Sequence, residues 1–177
     1  MQKYLVMTVS GNDRPGIVEH VTKLLLDYQS NVEASRMARL GGEFVMLMLV
    51  SADESKFEDL REAIRQLREQ DFRVTTRATE RGYSVKYAGW IPYEITVRGA
   101  DHEGIVHQVT RHLAKGKANI ESMDTEVVQA PMSGAPLFTM TAIVLVPPET
   151  NIKTWREALV LAGDERGVDI EASPYVR

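Results

Sequence analysis

The sequence predicts an α+β protein made of two copies of one β-α-β-β-α-β unit. An internal repeat supports this, because residues 11–33 and 99–121 align at an offset of 88 and ten of the 23 aligned positions are identical. Unrelated segments of ordinary composition would share roughly one or two residues. In addition, strand-like and helix-like segments follow one another in the same order in both halves.

The repeat divides the chain into a first domain at 1–80, a linker at 81–89 and a second domain at 90–177. The second copy is longer, because LREAI (60–64) and WREAL (155–159) match at an offset of 95 instead of 88. The difference of about seven residues is predicted to form a loop insertion near 129–136, where proline and glycine occur.

The first copy opens with a strand at 3–10, in which β-branched and apolar residues dominate. Asp13 and Pro15 then predict the start of a helix, since an aspartate near the cap accepts a free N–H and proline is tolerated in the first turn. The apolar face of this helix is formed by Ile17, Val18, Val21, Leu24, Leu25 and Tyr28.

Two strands, a second helix and a last strand complete the unit. Segments 31–40 and 43–51 flank Gly41-Gly42, which is typical of a hairpin turn. Residues 72–79 alternate as a strand does, and the helix before them has an apolar face of Phe57, Leu60, Ile64 and Leu67. The second copy repeats this order, which is that of the split βαβ, ferredoxin-like plan.

The ferredoxin-like plan places both helices on one face of the sheet and leaves the other face bare. Met7, Met37, Met46 and Met48 lie on predicted strands, and we interpret them as core filler. The segment FVMLMLV (44–50) is apolar on both faces. The bare face must therefore be covered or bind a partner, which predicts a homo-oligomer or a protein partner.

Composition and charge exclude several classes of function. The chain has no cysteine, so it has neither disulfides nor thiolate sites. Its formal net charge is −4 and no basic patch is evident, so we expect no direct contact with nucleic acid. The apolar runs are too short to span a membrane, and the N-terminus does not resemble a signal peptide, so a cytoplasmic location without membrane contact is expected.

The repeated loop before the first helix is the candidate ligand site. The free N–H groups of a helix N-terminus suit a carboxylate, and Gly16 allows close approach to the backbone. Asp13 is expected either to cap the helix or to pair with an ammonium, and Asn31 can meet both ligand groups. The alternative is that the motif serves only a tight strand-to-helix turn. The predicted residues of this site are Asn12, Asp13, Arg14, Pro15, Gly16, Ile17 and Asn31.

The second copy departs from this pattern where His102 and Glu103 replace Arg14 and Pro15. Glu103 adds negative charge at the helix start, which would repel a carboxylate ligand, and His102 adds a titratable group. The second site is therefore expected to be altered, pH-sensitive or empty. Its candidate residues are Asp101, His102, Gly104, Ile105 and Asn119.

No metal, cofactor or catalytic site is predicted. The segment HEGIVH (102–107) spaces its histidines five residues apart, about 140° around a helix, whereas His-Glu-x-x-His metal sites need a spacing of four. The internal repeat already accounts for this segment. The nucleophile elbow, the phosphate loop and the dinucleotide fingerprint do not occur in the sequence.

The unit resembles the ACT domain, since Asp-Arg-Pro-Gly (13–16) opens its first helix and Asn-Val-Glu (31–33) opens its second strand. That resemblance implies a small regulatory module that binds amino acids at domain–domain interfaces. It also implies two domains side by side, with antiparallel sheets and helices on one face. The two-copy layout resembles the glycine cleavage system transcriptional repressor family, whose members are thought to act through an activator protein.

Three hypotheses of function follow. The first is a non-enzymatic sensor that binds a small amino acid, with glycine as a candidate, between the two copies and signals to a transcriptional partner. The second is a protein–protein interaction module with vestigial ligand pockets. The third is an enzyme, which the lack of catalytic motifs disfavours although the fold alone does not exclude it.

Overall fold

The computed structural model describes residues 1–80, 86–130 and 134–176, and the chain divides into two compact units, 1–84 and 85–177. Residues 81–85 of the predicted linker at 81–89 lie outside the described residues. The same holds for residues 131–133 of the predicted loop insertion near 129–136. Within the described part of the chain, no helix combines the length and apolar character needed to cross a membrane.

Each unit has the predicted order of strands and helices. The first consists of β1 (Gln2–Asn12), α1 (Ile17–Asp27), β2 (Asn31–Leu40), β3 (Glu43–Asp53), α2 (Phe57–Gln66) and β4 (Arg73–Thr79). The second consists of β5 (Ile91–Ala100), α3 (Ile105–Lys115), β6 (Asn119–Gln129), β7 (Pro136–Val146), α4 (Ile152–Asp164) and β8 (Val168–Pro174). The α+β class and the βαββαβ order of both copies are therefore confirmed.

Each unit contains one four-stranded antiparallel sheet. The strand order is β2-β3-β1-β4 in the first unit and β6-β7-β5-β8 in the second. The first strand of each copy thus lies inside its sheet, between the third and fourth strands. This order is the ferredoxin-like one, and it places the loop that follows β1 at the end of the sheet where the β2–β3 hairpin turns.

The core of each unit lies between one sheet face and the two helices. In β1 the residues of one parity, Leu5, Met7 and Val9, are at most 1% exposed and cluster with the apolar faces of α1 and α2. Residues of the other parity point to the opposite sheet face, because side chains alternate along a strand. Met46 and Met48 are buried as predicted, whereas Met37, on the edge strand β2, is 38% exposed.

Candidate functional site

The loop between β1 and α1 is held against the β2–β3 hairpin. Asn12 pairs with Glu43, and the N–H of Asp13 donates to the carbonyl oxygen of Gly42 at 2.9 Å. Gly16 follows with φ 88° and ψ −2°. These angles are those of the third residue of a type II turn, which favours proline just before it, so Pro15-Gly16 forms the turn that leads into the helix.

The predicted capping of this helix is wrong. Helix α1 begins at Ile17 with Gly16 as its N-cap residue, and no side chain caps it. Asp13 and Pro15 therefore precede the helix, and the Asp13 carboxylate lies 3.7 Å from Nε of Arg39 instead. Because the first turn of a helix leaves backbone N–H groups without intrahelical acceptors, this end keeps its partial positive charge.

A surface pocket of about 230 Å³ opens at this helix start. Four predicted residues, Asp13, Arg14, Gly16 and Ile17, line it, together with three that were not predicted: Val18, Glu19 and Phe44. Asn12 and Pro15 belong to the same loop but do not line the pocket. The space above Gly16 is open, because a Cβ atom built there would meet nothing within 4 Å among the described atoms.

Two of the lining residues that were not predicted, Val18 and Phe44, could not be found from the sequence, for different reasons. Val18 was assigned to the apolar helix face, but it is 38% exposed, and its counterpart Val106 is 39% exposed. An apolar residue exposed at the same place in both copies is a signal that only the structure reveals. Phe44 lies on β3, and no local pattern links it to the loop.

Asn31 lies at the other end of the first unit. Along β3, Asn12 pairs with Glu43 and Asn31 pairs with Ser51, and eight residue steps of a strand span roughly 27 Å. The structure therefore does not bring Asn31 together with the loop residues within this unit. The exposed Asn31 amide donates from Nδ2 to Oε1 of Glu33 at 3.3 Å, and Glu33 also accepts from Oγ of Ser51 at 2.6 Å.

The second copy forms the same turn without proline. Gly104 has φ 91° and ψ −2°, and α3 begins at the next residue, Ile105. The N–H of Asp101 donates to the carbonyl oxygen of Pro136 at 3.0 Å, as Asp13 does to the first hairpin. The turn thus depends on glycine, and Glu103 occupies the position of Pro15 without changing its geometry.

The second loop differs from the first because His102 and Arg166 make contacts at its turn, although residues 101–104 all stay exposed. Nε2 of His102 lies 2.6 Å from the carbonyl oxygen of Arg166, and Nδ1 lies 3.1 Å from that of Glu103. A neutral imidazole has one N–H and donates to only one of these oxygens. The Arg166 guanidinium also lies over the turn, 3.9 Å from the Cβ position of Gly104.

The asparagine of the second copy is also engaged. Asn119 is half-buried, and its Oδ1 accepts a hydrogen bond from the hydroxyl of Tyr87 at 3.1 Å. Asn31, its counterpart, is exposed and uses its amide nitrogen for Glu33. The two copies therefore share a backbone fold but differ in the exposure and the partner of this asparagine.

The histidines of the second unit do not form a metal centre. Across residues 1–80, 86–130 and 134–176, no group of three or more histidine, aspartate or glutamate side chains could hold a metal ion. His112 packs on the core side of α3, where burial lowers its pKa and the positive charges of Lys115 and Arg111 lower it further. Glu165 opposes this shift only in part, so the pKa of His112 stays below its usual value.

Comparison with known sequences agrees with this fold. The family model of the ACT domain matches residues 3–79. A glycine cleavage system transcriptional repressor of Escherichia coli K12 is 50% identical over 50 residues, which cover 28% of this chain and 26% of the repressor. A UPF0237 protein of Methanopyrus kandleri is 38% identical over 77 residues, which cover 43% of this chain and 79% of that protein. The chain thus matches about a quarter of the repressor's length.

Two solved structures resemble the whole chain. A crystal structure of an unknown protein from Galdieria sulphuraria superposes with a TM-score of 0.86 at 36% identity, covering 99% of this chain and 100% of the other. The structure of a candidate glycine cleavage system transcriptional repressor superposes with a TM-score of 0.73, covering 100% and 99%. Its identity is 22%, so this second likeness concerns the fold alone.

Proposed function

Because the chain belongs to the ACT-domain family, we propose that it is a regulatory protein that binds a small amino acid at the β1–α1 loop of its first unit. The observation that supports this most is the uncapped start of α1 beneath an open surface at Gly16. In the second unit the Arg166 guanidinium lies against the corresponding turn, and His102 contacts the backbone of Arg166. The proposal therefore assigns ligand binding to one copy of the repeat.

The chemistry of the pocket suits a zwitterion. The N–H groups of the first helical turn would receive the ligand carboxylate, since they carry partial positive charge in a fixed direction. The ligand ammonium would pair with the carboxylate of Asp13, whose contact with Arg39 is long and exposed and therefore weak. Val18 and Phe44 bound the pocket with apolar surface, and its volume of about 230 Å³ favours a small side chain.

Asn31 completes such a site only from another copy of the fold. One amino acid cannot span the roughly 27 Å between the two ends of the unit. We therefore propose that Asn31 contacts only a ligand that is bound by the β1–α1-type loop of another βαββαβ copy. The contribution of Asn31 is separable from that of Asp13, and the primary ligand contacts are those of the loop.

The role in regulation follows the relatives. We propose that the chain represses transcription, as the name of its E. coli relative indicates for that protein. We propose that it does so without catalysis, through a transcriptional activator protein. Glycine is the first candidate ligand, because the relative is named as a glycine cleavage system transcriptional repressor. The hydrogen bonds of His102 and Asn119 favour a role in protein–protein interaction for the second unit. In that case the second unit is an interaction module with a vestigial ligand pocket.

Thermal unfolding with a panel of amino acids tests this proposal. A ligand at a hundred times its Kd stabilises the native state by about 2.7 kcal/mol, which raises Tm by roughly 5–10 °C for a protein of this size. We expect glycine or another small amino acid to produce such a shift, and Asp13→Ala to remove it because the ammonium loses its partner.

The matched control is Asp101→Ala, which makes the same change in the β5–α3 loop of the second unit. This variant should keep the full shift. If no amino acid raises Tm, or if Asp101→Ala removes the shift as completely as Asp13→Ala does, the assignment of the site to the first unit is refuted, and a pure interaction module becomes the better account.

A further inference from the structure

The sheet face of the first unit that is turned away from α1 and α2, named face A here, has arginines as the charged residues of its central rows. Arg36 pairs with Leu47, Arg73 with Ser10 and Arg77 with Val6. Each partner belongs to the parity opposite to that of the buried residues of its strand. All three arginines are exposed, and Leu47 between them is 47% exposed. Face A is thus an apolar strip with positive charge on both sides.

The corresponding face of the second unit, named face B, is acidic. Its strands present carboxylates in the same rows, opposite the buried parity of β5 and β7. Among the described residues of these strands, Arg98 is the one cation on this face, and it pairs across the strands with Asp169. The half-buried Ile143 lies on the inner strand β7, where it pairs with Glu94. The acidic residues are Glu94, Asp124, Glu126, Asp169 and Glu171.

The charges are reversed at equivalent positions of the repeat. Arg36 corresponds to Asp124 at the offset of 88 that aligns the two copies. Arg73 pairs with Ser10, and Asp169 pairs with Arg98, which is the counterpart of Ser10 at the same offset. Two faces with the same backbone therefore carry opposite signs, and faces of opposite sign attract whereas like faces repel.

We propose that the chain self-associates by packing face A of one copy against face B of a second copy. Four strands about 4.8 Å apart and about six residues long give a face of roughly 400 Å². Each chain carries one face of each sign and can therefore take part in one contact through face A and one through face B. The two contacts together bury roughly 1,600 Å², which is the area of a stable protein interface. On face A the apolar residues lie on the inner strands and the arginines on the edge strands, whereas face B also carries Glu94 and Arg98 on its inner strand β5.

Charge reversal with rescue tests this interface. We expect the wild-type chain to self-associate at micromolar concentration in light scattering coupled to size-exclusion chromatography, and to dissociate as added salt screens the charges. The variant Arg36→Glu/Arg73→Glu and the variant Asp124→Lys/Glu171→Lys should each weaken self-association at least about 10-fold, because each brings like charges together. A chain with all four substitutions should regain most of the wild-type affinity.

A control with the same change in net charge as Arg36→Glu/Arg73→Glu is Arg65→Glu/Arg156→Glu, on exposed positions of α2 and α4. It should associate as the wild type does, and circular dichroism should show all variants folded. A wild-type chain that is monomeric at micromolar concentration overturns the proposal. The proposal is also overturned if the quadruple variant does not regain self-association. Such a monomer would leave the two faces for a different protein. Amino-acid binding by the first unit does not enter these outcomes, so the two proposals are tested separately.

Discussion

Replacement of Gly16 by alanine is expected to abolish amino-acid binding while the protein stays folded. The new Cβ atom would project into the open space above the turn, where it meets no described protein atom but stands where the ligand must approach the backbone. Since binding relies on the N–H groups below this position, we expect affinity to fall at least about 100-fold, equivalent to about 2.7 kcal/mol. Isothermal titration calorimetry measures this directly.

The cost to folding can be separated from the effect on binding. At φ 88° an L-residue is strained by about 1–2 kcal/mol, so Gly16→Ala should also lower Tm by a few degrees. Gly104→Ala provides the control, because the φ of 91° at Gly104 imposes the same strain in the β5–α3 loop of the second unit. The control should lose the same stability and keep the ligand. Wild-type affinity in Gly16→Ala would show that the ligand does not contact this turn.

Replacement of Gly163 by alanine is expected to destabilise the second unit by about 3 kcal/mol. Gly163 is buried in α4, where a Cβ atom would lie 2.5 Å from the carbonyl oxygen of Val168 and 2.8 Å from Cγ1 of Ile170. Alanine favours a helix by about 1 kcal/mol over glycine, but a backbone oxygen of β8 cannot move without moving the strand. The clash therefore outweighs the helical preference.

Chemical denaturation of the two variants Gly163→Ala and Val160→Ala measures this effect. Val160 is 48% exposed on the same helix, so its change to alanine should alter the free energy of unfolding by less than about 0.5 kcal/mol. If Gly163→Ala proved as stable as the wild type, the close packing of α4 on β8 would be wrong, and with it the position of Arg166 just before β8.

The order of elements could be predicted because hydrophobic periodicity is local. The stripe of Phe57, Leu60, Ile64 and Leu67 repeats at helical spacing, and all four residues are buried. The bare face was also foreseeable, since the FVMLMLV segment is apolar at both parities, and Leu47 remains exposed while Met46 and Met48 are buried. Such patterns need no knowledge of distant contacts.

The start of the first helix was predicted less well, because two motifs overlap there. Asp13 followed by Pro15 favours a cap and a first turn, but Pro15-Gly16 also favours a type II turn, and the turn prevails because Gly16 takes the left-handed conformation. The separation of Asn31 from the loop is a property of sheet register, which the spacing in the chain does not report.

The contacts at the second site join residues that are remote in sequence. Arg166 reaches the turn at Gly104 from the far end of α4, and Tyr87 reaches Asn119 from before β5. The sequence did indicate that His102 and Glu103 change the second loop. It could not indicate that His102 contacts the backbone of Arg166, because that contact exists only after the sheet has formed.

The stoichiometry of amino-acid binding tests the central claim most directly. In a calorimetric titration of the wild-type chain with glycine and other small amino acids, we expect one ligand bound per chain. The turn at Gly16 is open, whereas the Arg166 guanidinium lies against the turn at Gly104. Two equivalent ligands per chain would show that Arg166 and His102 do not prevent ligand binding at the second loop. The absence of binding by any amino acid would contradict the account altogether.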